Sequence, residues 1–169
     1  MRRIIAISLL LIAFSACKTQ KESIKENHPV SVNQFLDKPF GVEETVSLLK
    51  KQFDSSVKIK RMIRRNKFDA QKVDTIFQFY HRKSEVFIYK TYFNREMLLG
   101  GVIYDTKFPL INGVKPGIKR EAFFKSFNDL VPNNKDSVII SNKESTREFT
   151  FVFDSKGVLK KISFSSYVD

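Results

Sequence analysis

Two side chains in this sequence have the chemistry for covalent or acid–base work, the thiol of Cys17 and the imidazole of His81. The 169 residues contain one cysteine and two histidines, so one chain cannot form an internal disulfide or a zinc site built on cysteines. His81 lies near Asp74 and Glu85 in sequence and is the one candidate general base, although a strand histidine more often has a structural role. Glycine-rich phosphate loops and the common catalytic motifs are missing. We therefore predict that the protein is not an enzyme and holds no metal or cofactor.

The first sixteen residues have the pattern of an export signal. Arg2 and Arg3 precede an apolar stretch of 11 residues (14 − 4 + 1), and the small residues Ser15 and Ala16 follow it. A membrane-spanning helix needs about 20 apolar residues, and Lys18 closes the stretch well before that length. The pattern predicts a cleaved signal peptide over residues 1–16.

The residues around the cleavage point, Phe14-Ser15-Ala16-Cys17, resemble the lipobox of bacterial lipoprotein signal peptides. They differ from the usual pattern at Phe14, where leucine is common. The resemblance implies that Cys17 is acylated, with palmitate or similar chains, and that it begins a mature chain anchored in the cell envelope. Lys18 in second place implies the outer membrane, with the domain facing the periplasm. The alternative is an ordinary secretory signal with a cysteine at the cleavage point by chance.

Charge is the next strong feature, because 30 Lys and Arg residues outnumber 18 Asp and Glu residues and give a formal charge of +12. Removal of residues 1–16 takes away two arginines and leaves +10 (28 − 18). Six cations form a basic patch within ten positions: Lys58, Lys60, Arg61, Arg64, Arg65 and Lys67. Export argues against nucleic acid as its partner. Anionic lipid head groups, an acidic protein surface or a solvated edge strand remain as interpretations.

The chain divides into a signal, a polar segment and one domain. Residues 17–33 are polar and lack apolar periodicity, so they are predicted to form a flexible tether. Apolar residues at helical spacing predict a helix over residues 42–53, with Glu43 and Glu44 in its first turn. Alternating β-branched and aromatic residues predict strands over residues 57–65, 73–81, 85–93 and 96–104. Gly100-Gly101 in the last of these indicates a bulge or a close backbone approach.

The same order of elements is then repeated. A turn over residues 113–117 leads into a predicted helix over 118–130, and strands follow at 137–141, 147–154 and 158–165. Residues 154–157 have Asp first and Gly last, as a type I hairpin turn favours. We expect a single α+β domain over residues 34–169, made of two similar helix-then-antiparallel-sheet units (α-β4-α-β3) at about 37–110 and 111–169. The helices are expected to pack on one face of a mainly antiparallel sheet.

Two segments carry a resemblance to a known fold. The sequence Lys115-Pro116-Gly117-Ile118-Lys119-Arg120-Glu121-Ala122 and the hairpin over residues 151–164 (FVFDSKGVLKKISF) resemble the β-lactamase-inhibitor-protein-like fold. They are also similar to the small lipoproteins of the outer-membrane β-barrel assembly machinery. The resemblance covers about a fifth of the chain. It implies a non-enzymatic module that binds other proteins with one face of a curved sheet, and it assigns no functional residue.

The chain is rich in phenylalanine, with 17 of these residues and no tryptophan. Most of these rings are expected in the core, but some could form an interaction surface, for which the candidates are Phe77, Phe79, Phe87 and Tyr89. The leading hypothesis is a membrane-anchored envelope lipoprotein that binds a protein partner through its sheet surface. The alternative is an envelope protein that binds a lipid or small ligand in a Phe-lined cavity beside the basic strand. An enclosed apolar pocket would favour the ligand-binding alternative. An open sheet with exposed aromatic residues would favour the protein-binding hypothesis.

Overall fold

Seven antiparallel strands join into one continuous sheet, which dominates the structure, a computed structural model. Residues 28–141 and 147–166 are described, so the predicted signal peptide and Cys17 lie outside them. The order across the sheet is β1-β2-β3-β4-β7-β6-β5. The strands are β1 (Lys58–Arg65), β2 (Val73–His81), β3 (Ser84–Lys90), β4 (Glu96–Ile103), β5 (Ser137–Ser141), β6 (Arg147–Phe153) and β7 (Leu159–Ser166).

Helix is a minor component of the described residues. The three α-helices, α1 (Val32–Asp37), α2 (Val46–Gln52) and α3 (Arg120–Lys125), have six or seven residues each, and a single 3₁₀ turn covers Ile111–Gly113. The expectation of an α+β fold built from two helix-and-sheet units is therefore wrong. The molecule is an antiparallel sheet with short helices attached.

Pairing between β4 and β7 explains why the two expected units do not exist separately. Gly101 lies opposite Phe164, and Ile103 lies opposite Ile162, so the strands of both halves share one hydrogen-bonded ladder. A β-carbon on Gly101 would come within 2.5 Å of the Glu85 carbonyl oxygen and 2.7 Å of the Phe164 ring. The close approach predicted for Gly100-Gly101 is thus confirmed, and it lies at this junction.

The N-terminal helix also joins the two halves, because α1 packs on strands from the far end of the chain. The Phe35 ring lies 4.9 Å from that of Phe149 and 5.9 Å from that of Phe151. Val30 pairs with the segment after α3, where its N–H donates to the Ser126 carbonyl over 3.1 Å. The tether interpretation is therefore wrong for residues 30–33, which are part of the fold, while residues 17–27 lie outside the described chain.

Strand alternation gives the sheet two different faces. On the covered face, rings from the helices and the loops beside them pack against the strands, as Phe53 does on Phe79 and Phe123 on Phe151. The core lies here, and its fully buried members include Phe79, Val86, Ile88, Leu98, Phe149, Phe151 and Ile162. Each ring contact that joins a described helix to the sheet is on this face. We call the other side the open face.

Helix ends differ from the predicted ones because of local hydrogen bonds. α2 begins at Val46 rather than at residue 42, since the Thr45 hydroxyl accepts from the Leu48 N–H. Glu44 lies before the helix and forms a bidentate pair with Arg147, at 2.6 and 2.5 Å. Burial raises the pKa of Glu44 despite this pair. The carboxylate therefore ties the start of the domain to β6 instead of interacting with the dipole of α2.

Candidate binding surface on the open face

The open face carries a band of partly exposed side chains across β2, β3 and β4. The strand register places Gln78 beside Phe87 and Ile76 beside Tyr89, and Tyr80 shares this face with Gln78. All of these side chains are partly exposed, and none belongs to the hydrophobic core. The band is mixed in polarity, since the Gln78 side chain also donates to Glu85 over 2.9 Å.

Strand β1 supplies cations along one edge of this face. Lys58 and Lys60 lie opposite Tyr80 and Gln78, and Arg64 lies opposite Asp74, so these three cations share the open face. Arg61 lies opposite Phe77 and shares the covered face at the same edge. The last two members of the basic patch lie where β1 ends and in the following loop: Arg65 and Lys67. All six cations are exposed, but the structure divides them among two faces and a loop.

The four aromatic candidates are likewise divided. Phe87 and Tyr89 are on the open face, and both are partly exposed. Phe77 and Phe79 are on the covered face, where Phe79 is only 1% exposed and packs 5.3 Å from the Phe53 ring. The prediction of one surface made by all four is wrong, because Phe77 and Phe79 alternate out of phase with the residues that reach the open face.

A cleft of about 380 Å³ lies at the end of the open face where β1 ends and β4 begins. We call it the basic–aromatic cleft. Cationic and aromatic side chains supply most of its lining, which consists of Arg64, Arg65, Asn66, Lys67, Phe68, Tyr89, Thr91, Tyr92, Phe93 and Leu99. The cleft is open to solvent and is therefore unlike the enclosed Phe-lined cavity of the alternative hypothesis.

One buried carboxylate holds the walls of this cleft together. Asp74 is 1% exposed and accepts from the Asn66 side-chain amide at 2.7 Å, the Tyr89 hydroxyl at 2.5 Å and the Tyr92 N–H at 2.8 Å. The bond from Tyr89 is the largest cause that lowers the pKa of Asp74. Asp74 stays ionised at neutral pH and connects the loop after β1, strand β3 and the turn after β3.

Aromatic rings stand out from the two loops around the cleft. Phe68 is 82% exposed, Phe93 is 78% exposed and Tyr92 is 53% exposed. The Lys72 ammonium lies 5.7 Å from the centre of the Tyr92 ring and 5.6 Å from that of Phe93, and Lys67 lies 5.4 Å from the centre of the Phe68 ring. These distances are within the range of cation–π attraction. Cations and rings are thus interleaved at one end of the sheet.

No periodicity or motif in the sequence marks these loop rings as candidates. Phe68 falls in a polar break without periodicity, and Phe93 falls in a predicted strand that in fact ends at Lys90. In the sequence, Asp74 is distinguished only by its position near His81. An aromatic residue next to a lysine in a polar break, as in Asn66-Lys67-Phe68-Asp69, is the one signal that could have identified this site.

His81 has a carboxylate partner, although not one of those near it in sequence. Its Nδ1 lies 2.9 Å from Asp105 Oδ2, and the buried Ser84 hydroxyl donates to the same oxygen over 3.0 Å. Ser84 in turn accepts from the Tyr104 N–H. The group closes the β2–β3 hairpin against the segment after β4. The Ser84 hydroxyl bonds Asp105 rather than His81, so the order of a nucleophilic triad is not formed here.

Three further features of the described residues bear on the predictions. A second cavity of about 370 Å³ lies beside α3, between Arg120 and Asn134. No group of His, Asp and Glu side chains within residues 28–141 and 147–166 is placed to hold a metal ion. None of the helices in this part of the chain is long and apolar enough to cross a membrane.

Comparison with known proteins gives no match: no family model, no curated protein and no solved structure is similar to this chain. The resemblances to the lipoprotein signal and to the β-lactamase-inhibitor-protein-like fold therefore remain predictions. The site must be interpreted from its own geometry and charge.

Proposed function

We propose that this chain is a lipid-anchored protein of the bacterial cell envelope that binds another protein through the open face of its sheet. The anchor is the acylated Cys17, and the outer membrane with the domain in the periplasm is the proposed location. The proposal includes no catalytic step. Nucleic acid is not among the proposed partners.

The observation that supports protein binding is the open face itself. Partly exposed Tyr80, Phe87 and Tyr89 lie beside the β1 cations Lys58 and Lys60 on a rigid sheet. Tyr and Phe supply apolar contact area with few rotatable bonds, and flanking cations raise the association rate with an acidic surface. The combination fits a protein partner that presents an acidic rim around an apolar centre.

Matched charge reversals test the face that binds. Lys60 lies on the open face, whereas Lys51 lies exposed on α2, which packs on the other side of the sheet. Cross-linking in intact envelopes followed by purification of the protein should give adducts for wild type and for Lys51→Glu. Lys60→Glu should lower their yield several-fold. Equal yields for the two variants would overturn the proposed face.

Metabolic labelling with palmitate tests the anchor separately. The wild-type chain should incorporate the label, and Cys17→Ala should lose it, because the thiol is the proposed attachment point. Label that persists in Cys17→Ala would exclude acylation at this residue. A matched Ser15→Ala variant keeps a small residue before the cysteine and should keep the label.

A further inference from the structure

Apart from Tyr89, the residues that line the basic–aromatic cleft have no part in the open-face proposal. Three rings, Phe68, Tyr92 and Phe93, are more than half exposed on two neighbouring loops. Exposed apolar rings in such a group are uncommon on a surface that meets only water, and they indicate an interaction site. Their position at the end of the sheet, rather than on its face, allows a second ligand beside the protein partner.

The charge around these rings has one sign. Exposed Arg64, Arg65 and Lys67 line the cleft, and Arg95 lies exposed on the turn that carries Phe93. The nearest acid on the loop, Asp69, is paired with Lys72 at 3.1 Å. The carboxylate that joins the walls of the cleft, Asp74, is buried and accepts three hydrogen bonds. The surface presented to solvent is therefore positive.

The two loops hold the rings in a defined arrangement. Asn66 accepts from the N–H groups of Phe68 and Asp69 at 2.9 and 3.1 Å, while its amide donates to Asp74. Across the cleft, the Tyr92 N–H donates to the same Asp74. Because the loops are already ordered, less conformational entropy is lost when the rings are buried by a ligand.

We propose that the basic–aromatic cleft docks on the surface of an anionic lipid bilayer. Arg64, Arg65 and Lys67 then contact the head-group phosphates. Phe68 and Phe93 lie deeper, at the interface between the head groups and the acyl chains. Cations near a membrane surface gain from its negative potential, and aromatic rings prefer the interface between head groups and acyl chains. A soluble phosphate would use the cations but leave the rings in water. Neither Cys17 nor the protein partner is needed for this contact, so it is independent of the proposed function.

A single introduced tryptophan can report on the contact, because the chain has none of its own. Phe68→Trp and Phe93→Trp place the probe in the cleft in two full-length variants. Tyr104→Trp is the matched control, since Tyr104 is exposed and follows β4 at the opposite end of the sheet. Each variant is mixed with vesicles of phosphatidylglycerol and phosphatidylcholine that contain brominated acyl chains, and with brominated phosphatidylcholine alone.

We expect anionic vesicles to quench the tryptophan emission strongly at positions 68 and 93, and neutral vesicles to quench it weakly. At position 104 we expect little quenching. The double variant Arg65→Gln/Lys67→Gln should weaken vesicle binding by more than tenfold, at about fivefold per cation. Lys83→Gln/Lys156→Gln removes two exposed cations from turns at the opposite end and should leave binding unchanged.

Several results would overturn the proposal. Equal quenching at positions 68 and 104 would show association without docking by the cleft, as the N-terminal segment alone could produce. Emission at position 68 that responds to inorganic phosphate without vesicles would assign a soluble anion. Emission that responds to polyglutamate but not to vesicles would assign an acidic protein. Circular dichroism of each variant verifies that the sheet is intact.

Discussion

At the scale of single residues, Asp74 connects the segments that form the walls of the basic–aromatic cleft. Its carboxylate is buried and accepts three hydrogen bonds from three different segments. A buried carboxylate without partners would be unfavourable, and three donors compensate for its loss of solvent. This residue orders the loops of the cleft without itself facing a ligand.

Removal of this carboxylate should destabilise the domain. Asp74→Ala leaves the Tyr89 hydroxyl and the Asn66 amide without their acceptor, so the free energy of unfolding should fall by about 2 kcal/mol. Urea denaturation followed by circular dichroism measures the change. Asp136→Ala is the matched control, because that side chain is almost fully exposed, and it should change stability by less than about 0.5 kcal/mol. A loss in Asp74→Ala no greater than in the control would contradict the role assigned to Asp74.

Acid pH should also destabilise the domain, through protonation of Asp105. Burial raises the pKa of Asp105, but bonds from His81, the Lys107 N–H and Ser84 outweigh it and hold the pKa below its usual 3.8. The folded state then binds a proton less readily than the unfolded state. The contribution of Asp105 to stability is therefore fully present above pH 3.8, and it is lost as the pH drops through the folded-state pKa.

The variant Asp105→Asn tests this contribution. It should be less stable than wild type at pH 7, because the charged acceptor of three bonds is lost, and its stability should fall less steeply as the pH drops below 3.8. Urea denaturation at several pH values gives both slopes. Parallel slopes for wild type and Asp105→Asn would contradict the account, since they would mean that Asp105 binds protons equally in both states.

At the scale of elements, the strands were predicted more closely than the helices: α2 and α3 are present but shorter than predicted, and α1 was not predicted. Period-two alternation gave β2 and β5 the observed bounds, Val73–His81 and Ser137–Ser141, because a strand with one buried face constrains every second residue. Helix α3 ends at Lys125 although the apolar pattern continues to residue 130. Tertiary contacts determine such ends: Ser126 and Asn128 bond to the Val30 backbone instead of extending the helix.

The junction of β4 and β7 offers a test at this scale. Gly101→Ala places a methyl group against the Glu85 carbonyl oxygen and the Phe164 ring. A backbone oxygen in a ladder cannot move cheaply, so the variant should lose about 3 kcal/mol or fail to fold. Thermal unfolding measures the loss. Adding Phe164→Leu should restore only part of it, because the Glu85 contact remains, and a fully stable Gly101→Ala would contradict the packing described for this strand.

At the scale of the whole molecule, the sequence could not predict how the strands of the two halves pair with each other. The repeat of helix and strands implied two units, whereas pairing of β4 with β7 is a long-range contact that no local pattern specifies. Packing of α1 on β6 is equally non-local. In β1, alternation along the strand places Lys58, Lys60 and Arg64 on one face. The exposed rings Phe68 and Phe93 were missed because loops have no periodicity to interpret.

The two proposed contacts use neighbouring parts of this one sheet, which meet at Tyr89. The open face across β2–β4 is proposed for a protein, and the basic–aromatic cleft at its end for a bilayer. Strand β1 supplies cations to both contacts. Lys58 and Lys60 lie beside Tyr80 and Gln78 on the open face, and Arg64 and Arg65 at the end of the strand line the cleft. A lipid anchor would keep both contacts close to the membrane.

Site-specific photo-crosslinking tests the central claim, that the open face binds a protein, most directly. A photoreactive phenylalanine analogue at position 87 lies on the open face, where Phe87 is partly exposed. The same analogue at position 48 lies on α2, on the other side of the sheet, where Leu48 is 37% exposed. Irradiation of intact envelopes should give a discrete protein adduct from position 87 and none from position 48. Adducts of equal yield from both positions, or from position 48 alone, would contradict the assignment of the open face.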